Sequence, residues 1–278
     1  RQLRKKINDK WDQKFNHTYL LGETYTGSAG HGQIRHYLGE YGLSGQFEFP
    51  TMWTLRSALR GHESMQALHA QVLRSARAWD GAGAVMAPIL GNHDVPRMIS
   101  DLAGDALWSP RTQPAPAIEN GVPYELLKTG WTFIMTQPGA PVIYYGDEFG
   151  MVGANDPDNR RNMRFGSQLD LFESATLDHV SKLGRLRQCS DVIRRGKTSL
   201  VYVDDELYVY KKVLQKDEAW IYLNRSSQPR LTRMHPEQDE TWYAPLGSSL
   251  EKTDGRLQID PYASLILTND PTCLEEQL

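Results

Sequence analysis

The sequence predicts an α/β fold with a small antiparallel β-domain behind it, and three observations predict it. Four short runs are apolar on both faces and alternate with helix-like segments, the pattern of a parallel sheet covered by helices. Three of those four runs pass directly into an acidic residue: Glu23, Asp94 and Asp147. After Gly196 the pattern changes to short β-branched and aromatic runs separated by Asp, Asn, Gly and Pro.

Taken in order, Leu3, Ile7, Trp11 and Phe15 recur every four residues, which places one apolar helix face over residues 3–16. Thr18 to Gly22 reads as a buried strand ending at Glu23. The Gly-rich stretch from Gly27 to Gly45 reads as loop, and Gly45 to Pro50 as a second strand. Residues 54–79 read as one helix, with Leu55, Leu59, Met65, Leu68, Val72 and Ala76 on its apolar side and Gly81 as the stop. Ala84 to Leu90 is the third strand and leads into Gly91-Asn92-His93-Asp94. Tyr124 to Gln137 is helix-like, Pro141 to Tyr145 is the fourth strand, and 177–195 is an amphipathic helix. Beyond it, Ser199–Val203, Glu206–Lys212, Ala219–Asn224 and Tyr262–Thr268 read as strands of the small β-domain.

An open doubly wound sheet is the alternative to a barrel. No Gly-x-Gly-x-x-Gly follows any strand, so a dinucleotide site is not indicated. Acidic residues at strand C-terminal ends are where a (β/α)8 barrel keeps its chemistry, so the barrel is preferred.

Composition excludes several classes of function. With 278 residues, 40% of them hydrophobic, the chain has enough apolar material for a large core. A net charge of −3 gives no basic stripe for phosphates, so nucleic acid is not expected as a partner. The basic runs at 1–6 and 160–164 read as solvated faces. No apolar stretch reaches the ~18 residues of a membrane span, and no membrane partner is expected. The two cysteines, Cys189 and Cys273, are far apart and have no His or Cys at ligand spacing, so they define neither a metal site nor a compartment.

Glu23 and Asp94 would project from one barrel rim into one cleft. Two carboxyls facing each other across a sugar are what glycosidic cleavage requires, one as proton donor and the other as nucleophile or base. The competing interpretation is that each is an ordinary strand-end acid capping a helix. Asn92, His93, Asp94 and Arg97 add donors, an acceptor and a positive charge within six positions, a set suited to clamping the hydroxyls of one sugar ring. Tyr25, Phe47 and Trp53 could stack on sugars, although core packing accounts better for each.

Several of these blocks together resemble glycoside hydrolase family 13, the α-amylase family. They are Leu20-Leu21-Gly22-Glu23, the Gly-Asn-His-Asp-Val-Pro-Arg of 91–97, the Gln-Pro-Gly-Ala-Pro-Val-Ile-Tyr-Tyr-Gly-Asp-Glu of 137–148, and Asp156-Pro157-Asp158-Asn159-Arg160. The last block is most similar to the maltogenic amylase, neopullulanase and α-glucosidase side of the family. The resemblance implies the C-terminal half of a (β/α)8 barrel over 1–196, about strands five to eight, and a β-sandwich domain over 197–278. It implies Glu23 as general acid/base and Asp94 as the group holding the hydroxyls of the distorted sugar. Asn92, His93 and Arg97 would assist in binding substrate. The implied activity is retaining hydrolysis of α-glucosidic bonds in starch or malto-oligosaccharides. Alternatives are an α-glucan transglycosylase, or a non-catalytic amylase-like interaction protein such as the ancillary subunits of amino-acid transporters.

The sequence departs from the family pattern at one decisive point. The family nucleophile is an Asp two positions after an Arg, and no Asp here has that neighbour. The expectation is therefore a chain opened near the fourth helix, inactive alone, whose partner is the missing N-terminal half of the barrel. Its two unpaired sheet edges would favour oligomerisation. Calcium enters as a cofactor by resemblance only, since much of the usual site would lie in the absent strands.

Overall fold

The computed structural model describes residues 2–11, 18–104, 114–233, 236, 241–246, 252–253 and 255–273. Helix α1 (Gln2–Lys10) buries only Ile7 of the predicted face: Leu3 and Trp11 are exposed, and Phe15 lies outside the described residues. Strands β1 (Leu21–Gly22) and β2 (Gly45–Gln46) pair in parallel, with helix α2 (His31–Arg35) between them. A parallel bridge from Phe47 to Ala87 adds the third predicted run, and Ala140 N and Val142 N donate to Met86 O and Pro88 O to add the fourth.

The last two runs are extended without forming a regular ladder. Pro88, whose carbonyl accepts from Val142 N, has no N–H with which to return a bond to the fourth run. The result is a four-membered parallel arc with helices on its outer side, the arrangement of part of a (β/α)8 barrel.

The helix expected over 54–79 is two helices, α3 (Phe49–Leu59) and α4 (Met65–Trp79). Gly61 takes a φ of +78°, which breaks the first, and the Ser64 hydroxyl accepts from Ala67 N to start the second. The unbroken apolar pattern hid this turn, because both helices present their apolar faces to the same core. Helix α5 (Met98–Leu102) follows the Asn-His-Asp segment, and α6 (Val122–Thr136) is buried along most of its length. Helix α7 (Leu171–Cys189) starts six residues before the expected 177 and is followed by α8 (Asp191–Arg195), with Ser190 capping the second.

The β-domain comprises one antiparallel sheet in the order β3 (Lys197–Val203), β4 (Leu207–Leu214), β5 (Asp217–Asn224) and β9 (Ser264–Thr268). A second sheet has the order β6 (Arg230–Thr232), β8 (Arg256–Ile259), β7 (Lys252–Thr253). The second sheet was not read from the sequence, because its strands are two to four residues long. Leu207, Val209, Tyr222, Leu257, Ile259, Leu265 and Leu267 fill the space between the sheets.

The other face of the larger sheet is buried against the helices. Tyr208, Tyr210, Ile221 and Ile266 share one hydrophobic cluster with Leu59, Leu127, Trp131 and Ile134. Cations complete this junction: Arg187 donates to Met135 O and Gln137 O, and Lys212 Nζ donates to Thr136 O at 2.9 Å. Together they satisfy carbonyls at the C-terminal end of α6, where positive charge is favoured. Cys189 and Cys273, 84 positions apart, form a disulfide, so their distance in sequence concealed their proximity in space. No described helix is long and apolar enough to cross a membrane.

Candidate active site

Strand β1 delivers Glu23 and the third run delivers Asn92, His93 and Asp94 to the same end of the arc. Asn92 joins them: its Nδ2 donates to Glu23 Oε1 at 2.7 Å, and its Oδ1 accepts from Asp94 N at 3.0 Å. His93 Nε2 lies 3.3 Å from Asp94 Oδ1. One ligand atom each of Glu23, His93 and Asp94 falls within 4.8 Å of the others. Glu23 and Asp94 are exposed and His93 half-buried, so the group opens to solvent and can meet a substrate. Arg160 reaches Asp94 at 3.6 Å and Asp156 at 2.6 Å, which adds positive charge at the margin.

Arg97 occupies a different place from the one expected of a sugar contact. Its side chain is fully buried beneath the rim, with Nε donating to Asn159 O at 2.9 Å and Nη1 donating to Asp147 Oδ1 at 2.8 Å. Nη1 also donates to Tyr145 O, and the guanidinium lies over the rings of Tyr144 and Tyr145 at 4.1 and 4.8 Å. Asp147, read from the sequence as a third rim acid, is likewise buried as the partner of Arg97. Burial pushes its carboxyl above the ordinary range, and Arg97 opposes that shift.

Asn159 was missed at the sequence level, although it lies within a quoted motif. Its side chain is buried, and Nδ2 donates to both His93 O (2.8 Å) and Val95 O (2.9 Å), so it pins the turn that carries His93 and Asp94. Gly153 is required beside it, because a Cβ there would stand 2.8 Å from Asn159 Cα and 2.9 Å from Arg97 Cγ. A second buried array, Arg56 with Asp101, fixes the other flank: Arg56 Nε donates to Asp101 Oδ2 at 2.9 Å, and its Nη1 and Nη2 to Leu90 O and Pro96 O. Backbone carbonyls leave no mark in the sequence, so neither clamp was legible there.

Of the three aromatic candidates, Phe47 packs with Phe49, Met52 and Ile89, and Trp53 Nε1 donates to Thr26 O at 2.7 Å. Tyr25 stays exposed, edge-on to Phe49 and Trp53 and close enough to Asp94 to feel its charge.

Glu23, His93 and Asp94 are the one group among the described residues with metal-ligating geometry. They do not fit calcium, which takes six to eight oxygens and disfavours imidazole, and Asn92 presents its amide nitrogen here. The set is suited instead to donating and accepting hydrogen bonds from a polyhydroxylated ligand.

The family model for the α-amylase catalytic domain matches residues 1–195. The β/α-amylase of Paenibacillus polymyxa is 27% identical over 221 residues, covering 78% of this chain and 16% of that protein. A cyclomaltodextrinase of Geobacillus thermopakistaniensis is 32% identical over 142 residues, covering 50% of this chain and 21% of its own length. The crystal structure of the Geobacillus thermoleovorans α-amylase complexed with acarbose superposes with a TM-score of 0.75 at 25% identity. That match covers 96% of this chain and 56% of that one. The chain thus spans about a fifth or less of the two curated relatives and little more than half of the solved enzyme. With a matching model over residues 1–195 and the same fold in a solved α-amylase, the chain belongs to the α-amylase family.

Proposed function

We propose that this chain forms one side of the cleft of a retaining glycosidase acting on α-glucans. Residues 1–196 would supply the acid/base half of the barrel and 197–278 the supporting β-sandwich. Glu23 protonates the leaving glycosidic oxygen and then activates water, while Asp94, with His93 and Asn92, holds hydroxyls of the sugar being cleaved. The carrying observation is the Asn92 bridge, which brings Glu23 and Asp94 to within one sugar ring of each other.

Arg97 serves by position rather than by contact. Together with Asn159 it fixes the turn beneath the sugar-facing groups, so that the order needed at the transition state is present before substrate arrives. The covalent acceptor is a carboxylate contributed from outside these 278 residues, since none here stands in the family's Arg-x-Asp pattern. In the retaining scheme it would stand about 5 Å from Glu23.

Hydrolysis of maltotriose and soluble starch by the full-length parent, its Glu23→Gln variant and this chain alone tests the assignment. Turnover by the parent only is the expected result. A parent with no activity would replace it with the non-catalytic, amylase-like reading, and longer malto-oligosaccharide products would indicate transglycosylation.

A further inference from the structure

Along the third run, between helices α4 and α6, lies a slot of about 380 Å³. Its walls are apolar, formed among others by Val72 and Trp79 of α4, Met86 and Ile89 of the sheet, and Phe133 and Ile134 of α6. Its lining includes two carboxyls, Glu48 and Asp80, and no basic side chain. Glu48 is 6% exposed, while Asp80 is exposed.

The Glu48 carboxyl is held in place by neutral donors alone. Ser75 Oγ donates to Oε1 at 2.7 Å and Thr51 N donates to Oε2 at 3.1 Å, with the indole N–H of Trp79 beside the carboxyl as a third neutral donor. Thr51 Oγ1 and His31 Nε2 each lie 3.1 Å from Ser75 Oγ and fix it in turn. A buried carboxylate without a cation is costly, and an incoming positive charge would remove most of that cost. The volume, the aromatic wall of Trp79 and the single sign of charge define one kind of occupant.

We propose that this slot is a binding site for a small organic ammonium ion, its apolar body against Trp79 and Val85 and its charge against Glu48. The site is separate from the rim that carries Glu23, and its occupancy does not depend on catalysis. Burial pushes the Glu48 carboxyl up to about 7. His31, joined to it through Ser75, is held below its ordinary value by burial and by Arg74. The cation is therefore best tested at pH 8, where Glu48 is charged.

Isothermal titration of the full chain at pH 8 with benzylammonium chloride, beside benzyl alcohol as the neutral counterpart, reads the site directly. Benzylammonium is expected to bind at least tenfold more tightly than the alcohol. Glu48→Gln should abolish that preference, and Ala76→Phe at the exposed rim should block both probes while circular dichroism stays unchanged. Equal affinity for the two probes, a preference that survives Glu48→Gln, or no binding by either would overturn the proposal. The unmodified protein supplies two of those three outcomes, so the test stands even if Glu48→Gln fails to fold.

Discussion

Glu23 and Glu48 each follow a short parallel strand, β1 and β2, yet one is exposed and the other is buried. Glu23 emerges at the rim and is met by the amide of Asn92 from the next run but one. Glu48 turns into the helix layer, where it caps α3 through Thr51 N. A strand-end carboxylate is thus functional or structural according to which side of the sheet its Cβ faces, and successive residues face opposite sides. The difference teaches that charges on the rim should govern activity, and charges beneath it stability.

The largest effect should come from the rim. In a protein that joins this chain to the rest of the barrel, Glu23→Gln is expected to lower kcat by a factor of at least about 10³ while the urea midpoint stays within error, since an exposed carboxyl is replaced by an amide of the same shape. A matching fall in stability would erase the distinction drawn between the two glutamates.

Next comes Arg97→Met, which leaves Asp147 buried without its partner. Loss of about 3–5 kcal/mol is expected from urea unfolding, as for other broken buried pairs. A loss below about 1 kcal/mol would show that the pair is solvated and the array beneath the rim is not rigid.

Buried Glu48 and half-buried His179 should give opposite pH slopes. Glu48 is pushed from 4.5 to about 7 by burial, so the folded state holds the extra proton; its contribution is complete below about 4.5 and is lost as pH rises through 7. Native stability should therefore fall relative to Glu48→Gln across that window, by up to about 3 kcal/mol. His179 is pushed from 6.5 down to about 4 by burial, chiefly, and by Lys128. Its contribution is complete above about 6.5 and lost as pH falls toward 4, and His179→Phe should flatten that acid limb. Urea midpoints from pH 4 to 8 for the native chain and both variants measure the two slopes. The smallest effect, about 1 kcal/mol, is expected from Ser64→Ala, which removes a neutral cap on α4 and sets the scale against which the buried charges are judged.

The candidate site was legible to the depth of the side chains that stand on the rim. Glu23, Asn92, His93 and Asp94 stand where apolar runs end, and a strand end is written locally. Arg97 was legible as a residue but not as a role, because its partners are the carboxylate of Asp147 and the carbonyls of Tyr145 and Asn159, 48 to 62 positions away. Asn159 and Gly153 follow the same rule, each defined by a backbone it touches rather than by its neighbours in the chain.

By itself the sequence determined the alternation of extended runs and helices, the change to β-structure after Gly196 and the residues of the rim, since periodicity and strand ends are local properties; it did not determine burial, since Leu21 of the first run and Ile143 of the fourth are exposed. Only the tertiary structure decided the break at Gly61, the second sheet of the β-domain, the Cys189–Cys273 pairing and the burial of Asp147 and Glu48. Each of these depends on which distant group arrives to pair, pack or exclude water, and that information is set by three-dimensional proximity rather than by spacing along the chain.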